Sequence, residues 1–380
     1  MRVLIVGGGV AGLTLAAKLA RQDREPVVVE KARSYRESGY ALALYPFGSA
    51  VLHGIGAYPR FAAASAELKT YEIAGRHGNV IRSLDFSRLM AGYGPTYLAA
   101  RGTLIGLLRA AAGERMDLRM GTTVTALREA GAQVEAALSD GSVARFDLVA
   151  GCDGIDSLTR AQLFGPQPGF DTGWTGWTWW GRAGIFPPAT VRELWLPGAM
   201  FGVYPTPGRA MYFIAVPTAT APAEQLSGAE VTAMLRAALG QAAALPQIGA
   251  ALDEAGQLWP WQLRDIRSRR LRRGRVVLCG DAGTAFLPTA GVGASAALRG
   301  AAALADELSR ADARLVPVAL DHYLERTTRP ARAQQRDSRR LAQAMFRQNS
   351  MLCQARDLVT RRLPARSMIG SILAAMHERV

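Results

Sequence analysis

Continuous apolar runs and one stretch with helical spacing alternate along the first 30 residues. Residues 3–6 are VLIV and residues 26–30 are PVVVE, and such runs are typical of strands buried on both faces. Between them, apolar residues from Leu13 to Ala20 recur on one face of a helix. The pattern predicts a strand–helix–strand unit.

Strand-like patterns follow further along the chain. Residues 116–150 are predicted to form a β-meander with a hairpin turn at Asp140 and Gly141. Residues 69–97 and 166–271 are also strand-like, and the second of these segments holds all seven tryptophans. After these segments the apolar spacing becomes helical, which predicts a helical C-terminus.

Length and composition are those of a soluble globular protein of about two domains. The chain has 380 residues, 49% of them hydrophobic and 20% charged, and it contains no uncharged apolar run of about 18 residues. The apolar N-terminus contains a glycine triplet and no convincing cleavage site, so it is not interpreted as a signal peptide. Three cysteines are few and odd in number, which predicts a reduced, cytoplasmic location.

Arginine supplies almost all of the net charge of +14. The arginines are spread along the chain in short clusters without interleaved aromatic residues, so we predict no nucleic-acid binding. The last 70 residues carry 13 arginines against six acidic residues, together with apolar patches. They are interpreted as helices packed on the rest of the protein, and contact with an anionic membrane or an acidic carrier protein is the alternative.

A glycine-rich turn follows the first predicted strand. In the Gly-x-Gly-x-x-Gly pattern, Gly7 permits the tight turn, Gly9 lets the backbone approach a diphosphate, and Gly12 lets the helix pack closely. Glu30 ends the next strand 18 residues after Gly12, where a carboxylate binds ribose hydroxyls. The unit is predicted to bind a dinucleotide, and the acid favours FAD or NAD over NADP.

Two distant segments complete a recognisable set of motifs. Residues 147–160 combine an apolar strand with Asp153-Gly154, Ser157 and Arg160, and residues 279–298, CGDAGTAFLPTAGVGASAAL, contain Gly280-Asp281, Pro288, Gly291 and Gly293. With the glycine turn before them and a strand-rich segment between them, the chain resembles the group A flavoprotein monooxygenases. These are the aromatic hydroxylases related to p-hydroxybenzoate hydroxylase, and the resemblance covers residues 1–330.

The resemblance implies an α/β (α+β) fold in which an antiparallel-sheet substrate domain is inserted into a Rossmann-type FAD-binding domain. The expected boundaries are residues 1–68, 98–165 and 272–330 for the FAD-binding domain, 69–97 and 166–271 for the substrate domain, and 331–380 for C-terminal helices.

The resemblance also implies which residues hold FAD. Asp281 is expected to bind the ribityl hydroxyls, and Asp153 to contact the pyrophosphate directly or through the other motifs. Pro288, Gly291 and Gly293 are expected to position the flavin for catalysis without acting as acid or base. The full predicted cofactor set is Gly7, Gly9, Gly12, Glu30, Arg36, Arg101, Asp153, Asp281, Pro288, Gly291 and Gly293.

The implied reaction depends mainly on the cofactor. NADPH or NADH reduces FAD, the reduced flavin forms a C4a-hydroperoxide with O2, and one oxygen atom passes to an aromatic or polycyclic small molecule. The four histidines show no metal-ligand spacing, so no metal site is predicted. The predicted substrate-pocket residues are Trp177, Trp179, Tyr204 and Tyr212, with ordinary core packing as the alternative. The resemblance implies that the segment with Ser157 and Arg160 takes part in binding both FAD and NAD(P)H. A helix cap and a buried structural ion pair are the alternative for these two residues.

The chain departs from the family pattern at three places. His is common at the position of Thr284, Asn is common after the last glycine, where Ala294 stands, and an acidic pair is common at Arg299-Gly300. The substrate and the site of hydroxylation are therefore not inherited from the best-known members. The alternatives are an FAD-dependent reductase or dehydrogenase, a flavin-dependent halogenase, and a flavin-binding accessory protein without turnover. The positions of the tryptophans and of the three lysines disfavour the halogenase.

Overall fold

A computed structural model describes residues 1–35, 40–167, 169–221 and 227–377. The strands are β1 (Val3–Val6), β2 (Val27–Glu30), β3 (Ala41–Leu44), β4 (Ala66–Glu67), β5 (Thr70–Ala74), β6 (Val80–Asp85), β7 (Tyr97–Ala100), β8 (Asp117–Met120), β9 (Val124–Ala130), β10 (Gln133–Leu138), β11 (Val143–Phe146), β12 (Leu148–Gly151), β13 (Phe170–Arg182), β14 (Thr190–Leu196), β15 (Ala199–Thr206), β16 (Arg209–Pro217), β17 (Trp259–Arg267), β18 (Arg272–Arg273), β19 (Val276–Leu278) and β20 (Thr284–Ala285).

The helices are α1 (Val10–Ala20), α2 (Pro46–Gly54), α3 (Tyr58–Ala63), α4 (Phe86–Leu89), α5 (Arg101–Ala112), α6 (Leu158–Phe164), α7 (Gly228–Leu239), α8 (Pro246–Asp253), α9 (Gly293–Ser309), α10 (Val316–Met345), α11 (Ser350–Arg362), α12 (Ala365–Met368) and α13 (Gly370–His377).

The first sheet has the order β18-β19-β12-β1-β2-β8, and all its neighbours are parallel except β18 and β19. Every residue of β1 and β12 is buried, because helices α1, α5 and α9 share a core on one face and β9–β11 cover the other. The carboxyl ends of β1, β12 and β19 are adjacent, so the three motifs that follow these strands meet at one edge of the sheet.

The predicted meander over residues 116–150 is shorter than expected. Strands β9–β11 form an antiparallel three-stranded sheet, and Gly141 has a φ of +87° in the predicted hairpin turn. In contrast, β8 and β12 pair in parallel within the first sheet. The prediction was wrong for these two strands because an apolar run such as Leu148–Gly151 suits a doubly covered strand better than a meander.

The second sheet has eight strands in the order β20-β17-β13-β16-β15-β14-β5-β6. Seven of its strands come from the two segments that were predicted to form the substrate domain, and β5 joins β14 in parallel. The edge strand β20 comes from the segment 272–330, which was predicted to belong to the FAD-binding domain. Helices α7 and α8 cover one face and bury a cluster of aromatic and aliphatic side chains there. The other face lies opposite the motif-bearing edge of the first sheet.

Helix α10 runs through Pro330, so the expected boundary between residues 330 and 331 falls inside a continuous helix. Proline removes one backbone hydrogen bond and normally disfavours a helix interior. Here Leu320 and Tyr323 are buried before the proline, and Gln335 and Ala342 after it. Packing on both sides therefore holds the helix together. No helix among the described residues is both long and apolar enough to cross a bilayer.

Candidate active site

A cavity of about 620 Å³ separates the motif-bearing edge of the first sheet from the second sheet. Seven residues that were predicted from the sequence are part of its wall: Gly9, Arg101, Tyr204, Asp281, Pro288, Gly291 and Gly293. Gly7, Gly12, Glu30 and Asp153 are not wall residues. Arg36, also predicted to bind the cofactor, lies outside the described residues.

The glycine turn contains one open position between two crowded ones. A Cβ on Gly7, whose φ is +108°, would lie 2.4 Å from the carbonyl oxygen of Cys152, and a Cβ on Gly12 would lie 1.9 Å from that of Gly7. A Cβ on Gly9 would meet only Arg101 Nη2, at 4.0 Å. Gly9 is the N-cap residue of helix α1, whose first turn has no side-chain cap and no acidic residue. The free N–H groups there suit a diphosphate.

Glu30 is held at the end of β2 beside this turn. Its carboxylate accepts hydrogen bonds from the backbone N–H groups of Gly8 at 2.7 Å and Ala32 at 2.9 Å. The Tyr35 hydroxyl in turn donates to the Gly8 carbonyl at 3.0 Å. These bonds orient the carboxylate next to the phosphate-binding turn, and its predicted role in binding ribose hydroxyls stays a prediction.

Asp281 and Arg101 form the polar part of the wall. Asp281 lies in a single 3-10 turn after β19, and Arg101 is the first residue of α5. Although the Asp281 side chain is accessible from the cavity, the surrounding protein limits its hydration and raises its pKa to about 6, against the opposing effect of Arg101. A carboxylate acceptor at this position fits a polyhydroxyl chain.

The carboxylate of Asp153 forms hydrogen bonds within its own loop. Its carboxylate accepts hydrogen bonds from the Ser157 hydroxyl at 2.5 Å and from the Thr159 backbone N–H at 2.9 Å, which leaves the expected direct contact with a pyrophosphate without support. Ser157 caps helix α6, and Arg160 donates to the carbonyl of Ala282 at 2.7 Å. This bond ties the second motif to the third, so the geometry favours an indirect role for Asp153.

From Pro288 to Gly293, the third motif forms a turn and a helix start beside the cavity. Pro288 begins a 3-10 turn that ends at Gly291, which has a φ of +62° in the left-handed region. Gly293 is the first residue of α9, and a Cβ there would meet nothing within 4 Å. The start of α9, without a side-chain cap, therefore faces open space, which fits a flat, electron-rich ring.

Three of the four predicted substrate-pocket residues lie on the wrong face of the second sheet. Trp177, Trp179 and Tyr212 are buried under α7 and α8, while Tyr204 faces the cavity. Trp179 pairs with Tyr212 across β13 and β16, so both must point to the same side. The prediction was wrong because strand periodicity defines two faces without telling which one the helices cover.

Sequence reasoning missed most of the sheet side of the wall. The missed wall residues include Tyr40, Glu193, Met200, Met211, Phe213, Trp261, Met345 and Phe346. Met211 and Phe213 flank Tyr212 in β16, so strand alternation offered a signal for them. Met345 and Phe346 come from the end of α10, far away in the chain, and no local pattern indicates their position.

Glu193 is the most heavily hydrogen-bonded of these residues. This carboxylate is 4% exposed and accepts bonds from the Tyr71 hydroxyl at 2.5 Å, the Tyr204 hydroxyl at 2.6 Å and the Trp195 indole N–H at 2.9 Å. Burial raises its pKa against the effect of these donors. Because Tyr204 donates its proton to Glu193, the lone pairs of its hydroxyl oxygen can accept a further hydrogen bond.

The departures from the family pattern are divided between this cavity and a neighbouring one. Ala294, at the position after Gly293 where Asn is common, is a wall residue of the larger cavity. Thr284, Arg299 and Gly300 line a neighbouring cavity of about 350 Å³ between α9 and α10. The two cavities share Asp281 and Ala297, together with Phe286. Ala294 is therefore the departure that changes the wall of the larger cavity.

Comparisons with known proteins agree with this geometry. A family model described as FAD binding domain matches residues 1–337. The chain is 30% identical over 370 residues to aurachin C monooxygenase/isomerase from Stigmatella aurantiaca, which covers 95% of this chain and 94% of that protein. It is 31% identical over 317 residues to 3-amino-4-hydroxybenzoate 2-monooxygenase from Streptomyces cremeus, covering 78% and 76%.

The fold also matches a solved structure. The crystal structure of Klebsiella pneumoniae HpxO complexed with FAD and uric acid gives a TM-score of 0.88 at 21% identity, over 99% of this chain and 96% of that chain. At this identity the likeness concerns the fold alone, and it confirms the α/β architecture predicted from the sequence.

Proposed function

This chain belongs to the FAD binding domain family and is an FAD-dependent monooxygenase, and we propose that it hydroxylates an uncharged aromatic or polycyclic compound that carries an N–H or O–H donor. The family membership confirms the resemblance drawn from the three motifs. Because the two full-length relatives named above are monooxygenases, oxygen transfer is favoured over the reductase, halogenase and accessory-protein alternatives.

The observation that carries this proposal is the pairing of Tyr204 with Glu193. The tyrosine donates its proton to the neighbouring Glu193 carboxylate, so it offers lone pairs to a ligand. A ring N–H or a phenolic O–H would complete this hydrogen bond, whereas a ligand with only an acceptor would leave it unmade. The donor on the substrate is therefore a requirement of this wall.

The charge of the wall supports an uncharged substrate. Arg264 is the one cation among the described wall residues of the second sheet. It forms an ion pair with Asp156 of the second motif, residues 147–160, across the cavity wall. A substrate carboxylate would have to compete with Asp156 for this guanidinium. The rest of the sheet side consists mainly of methionine and aromatic side chains, which suit a flat apolar ring system.

Different residues of the chain would bind FAD and the substrate. The start of α1, Asp281 and the Gly291–Gly293 backbone would hold the diphosphate, the ribityl chain and the ring of FAD. When bound, FAD supplies electron transfer from NADPH or NADH and the activation of O2. Tyr204 orients the substrate through the substrate's N–H or O–H donor, Glu193 accepts the tyrosine proton in a hydrogen bond, and the apolar wall excludes water.

Matched sets of aromatic compounds would test the proposal. Each set comprises a bicyclic N–H compound, its N-methyl derivative and its carboxylate derivative. We expect the N–H compound to stimulate NAD(P)H oxidation with stoichiometric O2 consumption and to give a product that is one oxygen heavier. Tyr204→Phe should raise KM for the N–H compound by about tenfold, the value of one hydrogen bond of roughly 1.4 kcal/mol, and leave KM for the N-methyl compound unchanged.

Val203→Ile provides the matched control for this test. Its side chain is buried on the α7–α8 face of the same strand, so it should not change the preference between the compounds. A preference for the carboxylate, or an equal effect of Tyr204→Phe on all three compounds, would reject the proposed substrate class. NAD(P)H oxidation without O2 consumption would reject oxygen transfer itself.

A further inference from the structure

Helix α11 exposes an apolar stripe to solvent. Four large apolar side chains on this helix are strongly exposed: Met351 (73%), Leu352 (53%), Leu358 (53%) and Val359 (55%). The two pairs are seven residues apart, so they lie on one face of the helix. Cys353 and Thr360, on the other side, are buried against the rest of the protein.

Exposed large apolar side chains are concentrated in this part of the surface. Of the twelve large hydrophobic side chains exposed among the described residues, five fall between residues 351 and 363. Single exposed apolar residues are common on soluble proteins, whereas a contiguous group marks an interaction surface.

Positive charge surrounds the stripe. Arg347, Arg361, Arg362 and Arg366 are all exposed. Asp357 is the single acidic residue between positions 347 and 366, and it is paired with Arg356 at 2.7 Å. Two copies of this face would bring like charges together, so self-association through the stripe is disfavoured. An anionic surface would complement it.

Helix α11 is held firmly with this face outward. The guanidinium of Arg356 donates to the carbonyl of Trp195 at 2.7 Å, and the N–H of Gly198 donates to the carbonyl of Arg347 at 2.8 Å. The helix also follows directly on Met345 and Phe346, which line the active-site cavity. A surface bound by α11 would therefore lie close to one wall of that cavity.

We propose that α11 docks this enzyme on an anionic phospholipid membrane, with its apolar stripe among the lipid chains and its arginines on the headgroup phosphates. Apolar burial and electrostatic attraction act together in such interfacial helices. The proposal does not depend on the substrate class proposed above. It gives an apolar aromatic substrate dissolved in the bilayer a short route to the cavity.

Sedimentation with vesicles tests the docking. The full-length holoenzyme, with FAD occupancy checked by absorbance, is mixed with phosphatidylcholine vesicles that contain or lack phosphatidylglycerol. We expect it to sediment with the anionic vesicles, much less with the neutral ones, and less at high salt. The double variant Leu358→Glu/Val359→Glu should lower the partition coefficient by at least tenfold, while activity without vesicles stays unchanged.

A matched variant separates the stripe from general surface effects. Val143→Glu/Val318→Glu introduces the same charges at exposed valines elsewhere (61% and 49% exposed), and it should bind vesicles nearly as the unchanged protein does. Equal binding by the α11 variant, or no binding to anionic vesicles, would overturn the proposal. A dimer in light scattering that Leu358→Glu/Val359→Glu dissociates would assign the stripe to a second copy of the chain instead.

Discussion

Gly9 and Gly12 belong to one turn but have opposite surroundings. The Cβ position of Gly9 faces the cavity, whereas that of Gly12 is occupied by the carbonyl oxygen of Gly7. Gly9 has a φ of −83° and a ψ of −167°, which any residue can adopt. Gly9 is therefore needed for the ligand, and Gly12 for the fold.

Substitution at these two positions should separate binding from folding. We expect Gly9→Val to fold normally and to lose FAD, because its side chain enters the space left for the diphosphate. Gly12→Ala should lower the yield of folded protein, since helix α1 must move away from the β1 turn. Circular dichroism and bound-flavin absorbance measure the two effects. A Gly9→Val protein that retains FAD would contradict this assignment of the site.

Asp281 should make the stability of the apoprotein depend on pH. Its pKa in the folded protein, about 6, lies above the ordinary value of 3.8. The contribution of this group to stability is therefore fully present below the ordinary pKa and is lost as the pH rises through 6. Asp281→Asn carries no charge at any pH, so the melting temperature of the variant minus that of the wild type should increase from pH 4 to pH 7.5.

The same variant should bind FAD more weakly at pH 7.5, because an amide is a poorer acceptor for ribityl hydroxyls than a carboxylate. Differential scanning fluorimetry of the apoprotein and flavin fluorescence titration measure the two effects. A melting-temperature difference that does not change with pH would show that the Asp281 carboxylate is fully hydrated.

At the scale of elements, helix α10 connects the second sheet to the loop that begins at Pro288. Arg339 forms a bidentate pair with Asp265 of β17, at 2.6 and 2.7 Å. The Gln335 amide donates to the carbonyls of Ile266 in β17 and Ala285 in β20, at 2.7 and 2.6 Å. Strand β20 leads directly into the turn that begins at Pro288, so this helix supports the loop from behind.

Breaking the Arg339–Asp265 pair should be costly, because Asp265 is fully buried. We expect Arg339→Ala to lower the free energy of unfolding by about 3 kcal/mol, the usual result of leaving a buried charge unpaired. The neighbouring Arg340, whose side chain is 77% exposed and pairs with Asp337 at 3.4 Å, is the control. Its replacement by alanine should change the stability by less than ~0.5 kcal/mol.

Urea denaturation, with FAD removed, compares the two variants. Equal losses would mean that the buried pair contributes no more than a surface pair. A second variant, Asp265→Leu/Arg339→Met, replaces the pair by apolar side chains and should recover most of the lost stability.

At the scale of the whole molecule, the cavity lies between two sheets that are built from interleaved segments of the chain. Its wall takes residues from the glycine turn near the N-terminus as well as from the end of α10. A ligand in this cavity therefore contacts parts of the chain that unfolding would separate, and its binding must stabilise the folded state.

FAD should accordingly raise the melting temperature of the apoprotein in a concentration-dependent way. At a free concentration of 100 times Kd, the gain is about 2.7 kcal/mol for a single site. Gly9→Val should abolish this gain, and AMP should give much less of it, because it lacks the ribityl chain and the ring. A concentration-independent shift would contradict binding at one site.

The sequence by itself determined the parts of this protein that depend on local backbone chemistry. A Gly-x-Gly-x-x-Gly turn between an apolar strand and a helix can adopt few backbone conformations. Asp281, Pro288 and Gly291 lie within one short loop, and this spacing matches the family's third motif. The family and the FAD cofactor followed from these motifs, and the comparisons confirmed them. Strand alternation also indicated the residues that form the second sheet.

Only the tertiary structure decided which face of that sheet lines the cavity. Alternation places Trp179 and Tyr212 on one face and Phe213 on the other, but the choice depends on where α7 and α8 pack, and their positions depend on contacts between segments far apart in the chain. The hydrogen bond from Tyr204 to Glu193 and the position of Phe346 in the cavity wall also depend on contacts between segments far apart in the chain. Periodicity is a local property, whereas burial belongs to the assembled molecule.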